Sequence, residues 1–481
     1  MSANTATAGR LSLPTIFGFS IANFPLGCLA VAVAVYLPPY FASHLGVSLA
    51  VVGGAWMTVR LIDVFVDPVL GVVMDRTKTP FGRYRFWMAI GAPILMLSVY
   101  ALFLAPAGIG MGYLIAWLLI YYFATSILGL GHSAWGANLA TEYHERSRVF
   151  GVVAMLGVIG AVLVLVIPII APLIGRSDAT AVQDMGWAVL LVTPICIGVC
   201  VLRTREPITV AVAGEPFRMT DYLGLVVKPD LLRLFLAQMC LTLGPGWMSA
   251  LYLFFFVESR GYTTGVASIL LLVYVLAGII GAPLTAVIAR RLSKHRTLML
   301  TSTAYSLGLC TVMLIPKGNM VAGMPVMFWC GFMAAGFDLM IRAMLADVGD
   351  QVRLEQGQER ISLIYALNTL ASKIATAFSI GLTFPLLGWL GYVAKEGYHN
   401  TPAAITRLEW VYIAGPIFFV MLGGACVAGW KLDAERHAEI REELERRDAA
   451  QGAAVYEEAP IVEAVSGQPA IPILAEDGKR S

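Results

Sequence analysis

From Leu11 to Ser43 the chain carries no Asp, Glu, Lys or Arg, and comparable apolar stretches recur as far as residue 431. They fall at about 12–41, 49–74, 86–105, 111–139, 149–174, 186–202, 231–257, 264–289, 298–316, 320–345, 361–393 and 409–431. About 20 apolar residues carry an α-helix across a bilayer. Twelve such stretches predict an all-α membrane protein of twelve transmembrane helices. Of the 481 residues only 13% are charged, against about 25% in a soluble domain. That excludes an ordinary soluble fold and a disordered chain. Pro38, Pro39, Pro68, Pro168 and Pro385 are expected to kink or end several helices.

The formal net charge of +2 gives no nucleic-acid signal. All seven cysteines lie in apolar stretches, with spacings that fit neither a disulfide framework nor a zinc site. The uncharged run after Arg10 is too long for a signal-peptide core, so it reads as a retained first helix.

Lys and Arg in short loops set the orientation of a membrane protein. The loop after helix 2 carries Arg76, Lys78, Arg83 and Arg85, and that after helix 4 carries Arg146 and Arg148. The loop after helix 8 carries Arg290, Arg291, Lys294 and Arg296. The loops after helices 1 and 3 have none, and those after 5, 7 and 9 have one each: Arg176, Arg260 and Lys317. Both chain ends are therefore expected in the cytoplasm, in a plasma (inner) membrane. The longest internal loop follows helix 6. This divides the chain into a six-helix half at 1–202, a linker at 203–230, a second six-helix half at 231–432 and a polar tail at 433–481. Two pseudo-symmetric halves about a central linker are a transporter layout. The tail opens with AERHAEIREELERRDAAQG, expected as a short solvated helix followed by a disordered segment.

An ionisable residue at membrane depth costs about 2.5–3.5 kcal/mol and marks a functional site by default. Arg60, Asp63 and Asp67 stand at i, i+3 and i+7 of helix 2, on one face. Two carboxylates one turn apart offer hard oxygen ligands to Na⁺, or a protonatable pair to H⁺, with Arg60 balancing them when the cation is absent. The bland reading is an Arg–Asp pair that fixes packing, for which one carboxylate would suffice. In helix 11, ALNTLASKIATAF places Lys373 deep in the membrane with Thr369 one turn before it and Asn368 and Ser372 alongside. Lys373 is a candidate counter-ion to Asp63 or Asp67. Helix 10 offers Asp338 and Arg342 near Asp347 and Asp350, as an inner gate or as structural pairs. His132 in helix 4 reads as a packing histidine rather than a proton relay. Trp135 reads equally as a stacking platform for solute or as a core aromatic.

Enzyme motifs are missing: no G-x-S-x-G, no H-E-x-x-H, no phosphate-binding loop, no dinucleotide fingerprint. Ion-gradient-driven transport is then expected, with no cofactor.

The run RLIDVFVDPVLGVVMDRTKTPFGRYRFW resembles the signature of the glycoside–pentoside–hexuronide:cation symporters, a branch of the major facilitator superfamily. ADVGDQVRLEQGQERISLIYALNTLASK resembles that family's helix 10–11 segment. The stretch from Trp135 to Asn138, with ERSR at 145–148, resembles its loop after helix 4. The resemblance implies the major facilitator fold and alternating access, with a small solute and a cation held near the midplane. It implies cation-binding roles for Asp63 and Asp67 and no metal beyond Na⁺ there. Arg60, Lys373 and Thr369 become their charge and polar partners, and Asn23, Trp135 and Asn368 solute contacts. Departures stand beside the match. Asn23, Gly131 and Met155 or Leu156 occupy places where sugar-transporting members carry two aspartates and an arginine. A glycoside is thus the family default, and a lysophospholipid or other amphiphile the alternative, as in the related sodium-dependent lysophosphatidylcholine symporters. The expected partners are a small solute and the lipid bilayer, with no nucleic acid, and the chain is expected as a monomer.

Overall fold

The computed structural model describes residues 11–140, 143–206, 224–357 and 360–449. Most of the expected linker and the tail beyond 449 lie outside the described residues. Twelve long helices follow one another: α1 (Leu13–Ser43), α2 (Leu49–Arg76), α3 (Arg83–Phe103), α4 (Met111–Leu139), α5 (Tyr143–Ile170), α6 (Asp178–Arg203), α7 (Pro229–Ser259), α8 (Thr264–Leu292), α9 (Lys294–Val312), α10 (Met320–Gln356), α11 (Ile361–Trp389) and α12 (Pro402–Cys426). Eleven are long and apolar enough to cross a membrane on their own; α9, which opens on Lys294, His295 and Arg296, falls short. Residues 434–449 form a further helix, α13.

Local chemistry accounts for the helix ends. Ser48, Ser177, Thr263 and Thr401 each accept a backbone N–H of the first turn with the side-chain oxygen, and Asn319 does the same for α10. All five caps sit on one face of the bundle, where the even-numbered helices begin. The other face carries the first and last described residues, 11 and 449. Ser177 starts α6 at Asp178, well before the expected 186. α10 runs on to Gln356 rather than ending near 345, because a capped helix need not stop where its apolar stretch does.

Prolines act unevenly. Pro25 cannot donate to the Ile21 carbonyl, and α1 breaks at Ile21–Ala22. Pro38 and Pro39 cannot donate to Ala34 and Val35, and the helix widens into a π-turn over Ala32–Tyr36. α5 gives way to a 3₁₀ turn at Ala171–Ile174, just after Pro168. Pro68 and Pro385, among the prolines expected to kink or end several helices, do not end theirs and lie inside continuous ones.

Helices α2 and α11 pack against each other across the two halves, as do α5 and α8. The polar contacts between halves gather at the face opposite the chain ends. There His44 Nδ1 lies 2.7 Å from Glu396 Oε2, Thr264 Oγ1 donates to Asp178 Oδ2 at 2.5 Å, and Tyr36 OH meets Ser268 Oγ at 2.6 Å. Glu396 N donates to the Ser43 carbonyl. The bundle is closed at one end.

Glycines make that closure tight. A Cβ on Gly381 would stand 2.6 Å from Met57 Cβ, and one on Gly53 2.7 Å from Pro385. Gly381→Leu should therefore hold the halves apart at this end. A Ser43→Cys/Glu396→Cys pair should form a disulfide readily, and several-fold less in the Gly381→Leu background. Equal yields would contradict the close approach.

The tail helix is not the free, solvated element expected. Ile440 and Leu444 are buried. His437 Nε2 reaches Asp350 at 3.0 Å, Arg353 donates to Asp448 at 2.9 Å, and Arg447 donates to the Leu354 carbonyl at 2.8 Å. Two apolar residues four apart in a charged stretch suffice to dock it on the end of α10.

Candidate functional site

Asp63 is 3% exposed and lies where α2 faces α11 and α4. Its Oδ2 accepts Lys373 Nζ at 2.8 Å and Arg60 Nη1 at 3.4 Å, and its Oδ1 accepts Ser126 Oγ at 3.1 Å. The same Lys373 Nζ lies 2.5 Å from Asp67 Oδ2. One ammonium from the second half thus bridges both carboxylates of the first. Asp67 Oδ1 is buried with no hydrogen-bond partner among the described residues. Pro68 follows it and has no N–H for the Val64 carbonyl, which lies in the turn between the two aspartates. Carboxylate oxygens and a carbonyl released by proline are the donors a hard cation takes. Among the described residues no group of three or more His, Cys, Asp or Glu could hold a metal ion. Two carboxylates suit a single positive charge.

Arg60 stacks its guanidinium over the Tyr122 ring at 4.3 Å. It also lines a cavity of about 140 Å³ between the halves. Leu29, Ala30, Val33 and Ala34 of α1 supply an apolar wall, Trp56 and Tyr122 an aromatic one, and Ser249, Thr376 and Ser379 polar side chains from the second half.

The structure thus brings Arg60, Asp63, Asp67 and Lys373 into one cluster. Other candidate residues fall elsewhere. Thr369 is exposed and its hydroxyl turns back to the Tyr365 carbonyl at 3.0 Å, so it does not stand beside Lys373 as a partner. Trp135 is fully buried against Phe19, ring centroids 5.5 Å apart, and offers no open face for stacking. His132 stacks on Phe19, and its Nε2 lies 3.0 Å from the Phe19 carbonyl oxygen, as a packing histidine does. Asn23 donates to the Val153 carbonyl at 2.9 Å and ties α1 to α5. Asn368 is buried and its Oδ1 has no partner among the described residues.

The inner-gate grouping separates. Asp338 and Arg342 pair with each other at 2.6 Å within α10, both more than half exposed. Asp347 instead takes Lys294 at 2.7 Å and Asp350 takes His437. All of these partners lie in the second half or α13. A gate would need partners from both halves.

Ser126 and Tyr122 were missed in the sequence. They stand at i and i+4 on α4, a polar and an aromatic residue on one face, which is the signal that could have drawn them out.

Residues 18–434 match the family described as MFS/sugar transport protein. The chain belongs to that family, and within the major facilitator superfamily to its glycoside–pentoside–hexuronide symporter type. It is a transporter and not an enzyme. An uncharacterized symporter of Bacillus subtilis (strain 168), YnaJ, is 22% identical over 91% of this chain and 96% of its own. The isoprimeverose transporter of Lactiplantibacillus pentosus is 22% identical over 91% and 92%. The crystal structure of the nucleoside transporter NupG superposes with a TM-score of 0.62 at 17% identity, over 87% of this chain and all of that one. Likeness at that identity establishes the twelve-helix major facilitator fold.

Proposed function

We propose that this chain is a secondary active symporter that carries a small sugar-like solute together with Na⁺ or H⁺ by alternating access. The observation that carries the reading is Lys373 Nζ at 2.8 and 2.5 Å from Asp63 and Asp67. It is a polar link between the halves that lies away from the closed end. A cation that takes the two carboxylates competes with Lys373 for them. Occupancy of the cation site is then felt directly by the contact between halves. That is what coupling requires: a ligand shifts a conformational equilibrium only by its differential interaction with the two states.

The Lys and Arg pattern of the loops supports chain ends on the cytoplasmic side of a plasma (inner) membrane, and the chain is read as a monomer. The closed end is then external. In the outward-facing state Na⁺ or H⁺ binds Asp63 and Asp67, Lys373 or Arg60 is released, and the solute site forms. Only the empty or the doubly loaded protein rocks.

Thermal stabilisation of the purified protein by sugars and by lysophospholipids, each with and without Na⁺ and across pH, tests the reading. A ligand of the folded state raises the melting temperature by mass action. A sugar that stabilises only together with the cation is the expected result. Stabilisation by lysophospholipids alone would replace the solute class, and cation-independent stabilisation by sugars would remove the coupling.

A further inference from the structure

Between α8 and α9 the chain reads RRLSKHR from Arg290 to Arg296, with basic side chains and no acid. Elsewhere on this face, arginines are spent on carbonyls: Arg85 on Val201, Arg146 on Ala140 and Arg148 on Leu11. Lys294 is also committed, its Nζ 2.7 Å from both oxygens of Asp347. Arg290 and Arg291 are exposed and have no hydrogen bond or ion pair among the described residues.

Two surfaces meet at Arg290. One is a cavity of about 400 Å³ between the ends of α8 and α10, bordered by the segment that leads into α13. Leu339, Met340, Trp430 and Leu432 make it largely apolar, while Arg290, Lys294, His295 and His437 give it a basic rim. Its two acids are already taken. Asp347 serves Lys294, and Asp433 accepts the Arg436 N–H at 3.0 Å where α13 begins. The other surface is a stripe along α8. Leu276, Ile280, Leu284 and Val287 stand three or four residues apart, each more than two-fifths exposed, and share one helix face. The same spacing continues to Arg290 and Arg291. An exposed apolar stripe on a membrane helix is a surface for acyl chains, and this one ends on two guanidinium groups. A guanidinium takes a phosphate through two parallel N–H···O bonds. Loop arginines that only set orientation need neither the cavity nor the apolar approach.

We propose that the end of α8 and this cavity bind an anionic phospholipid. Arg290 and Arg291 hold its phosphate, the cavity takes its glycerol region, and one acyl chain lies along the stripe. The headgroup then rests against residues 430–437 and holds them to α8, so lipid binding and the docking of α13 support each other. In the orientation proposed above the lipid comes from the cytoplasmic leaflet, whose anionic headgroups attract juxtamembrane Lys and Arg.

The test uses the purified full chain, with binding read by native mass spectrometry and by the rise in melting temperature. The probes are phosphatidylglycerol, phosphatidylcholine with the same acyl chains, and soluble glycerol 3-phosphate. Phosphatidylglycerol should bind about tenfold more tightly than phosphatidylcholine, and glycerol 3-phosphate should not compete. Arg290→Gln/Arg291→Gln should lose the preference, Arg290→Gln alone should lose part of it, and Arg290→Lys/Arg291→Lys should keep most of it. Arg76→Gln/Lys78→Gln, the same loss of charge on the first half, should leave it unchanged. Phosphatidylglycerol should also slow proteolytic cleavage within α13 several-fold. Equal binding of the two lipids, a preference that survives in Arg290→Gln/Arg291→Gln, or an equal loss in Arg76→Gln/Lys78→Gln would overturn the site. Glycerol 3-phosphate binding as tightly as the lipid would make it a site for free phosphate esters and overturn the lipid assignment. Cleavage of α13 that ignores the lipid would overturn the link to the tail.

Discussion

Lys373→Met should bind Na⁺ or H⁺ about a hundredfold more tightly than the wild type and yet fail to accumulate solute. Removing one partner of a buried ion pair leaves its charge uncompensated, at a cost of about 3–5 kcal/mol. Here the loss is shared by two carboxylates, because one ammonium serves both Asp63 and Asp67. Arg60 alone remains, and the cluster falls from 0 to −1. An added cation takes the vacated place and recovers most of the penalty; about 1.4 kcal/mol corresponds to a factor of ten. The variant should melt lower without cation and show a larger cation-induced shift than the wild type. Accumulation is lost because nothing from α11 then competes with the cation, so the link between occupancy and the contact of the halves is gone. A Lys373→Met protein with unchanged cation affinity would show that Lys373 only packs.

Asp63→Asn should act in the opposite sense. Asn is acceptor and donor at once and carries no charge, so the cluster rises to +1 before any cation arrives. Cation affinity should fall by about a hundredfold or more, and gradient-driven accumulation should drop to background. Solute exchange down its own gradient can survive, which separates a coupling defect from a folding defect. Asp67→Asn should be milder in stability, since the Asp67 side chain is 20% exposed against 3% for Asp63 and its one partner among the described residues is Lys373. The order of melting temperatures, wild type above Asp67→Asn above Asp63→Asn, is read in one thermal series. Gradient-dependent uptake in Asp63→Asn would remove that residue from the cation site.

The cluster was legible in the sequence for an energetic reason. Charges at membrane depth are expensive enough to be rare, and those present must find one another. Arg60, Asp63 and Asp67 share a helix face by spacing, and Lys373 is the deep cation of the second half. The twelve helices were legible because a bilayer leaves the backbone few alternatives. Neutral groups left no such trace. Ser126 reaches Asp63, and Tyr122 lies under Arg60, yet hydroxyls and aromatics are common in membrane helices. Trp135 could be read as a platform or as core, and only packing around Phe19 decides it. The charges of α10 left two readings open because water removes their urgency to pair. Asp347 and Asp350 lie in the part of α10 that runs past its apolar stretch, where the docked α13 supplies His437. That docking rests on Ile440 and Leu444, two apolar residues in a stretch otherwise read as solvated.

The direct test of the central claim is the simultaneous flux of cation and solute through the reconstituted wild-type protein. A solute that stabilises the protein is offered under a gradient of its own, with ²²Na⁺ and proton movements followed in the same vesicles. The account predicts that one of the two cations moves inward with the solute at a fixed ratio, and that Asp63→Asn abolishes its movement. Solute flux that proceeds at full rate with neither cation moving would contradict it.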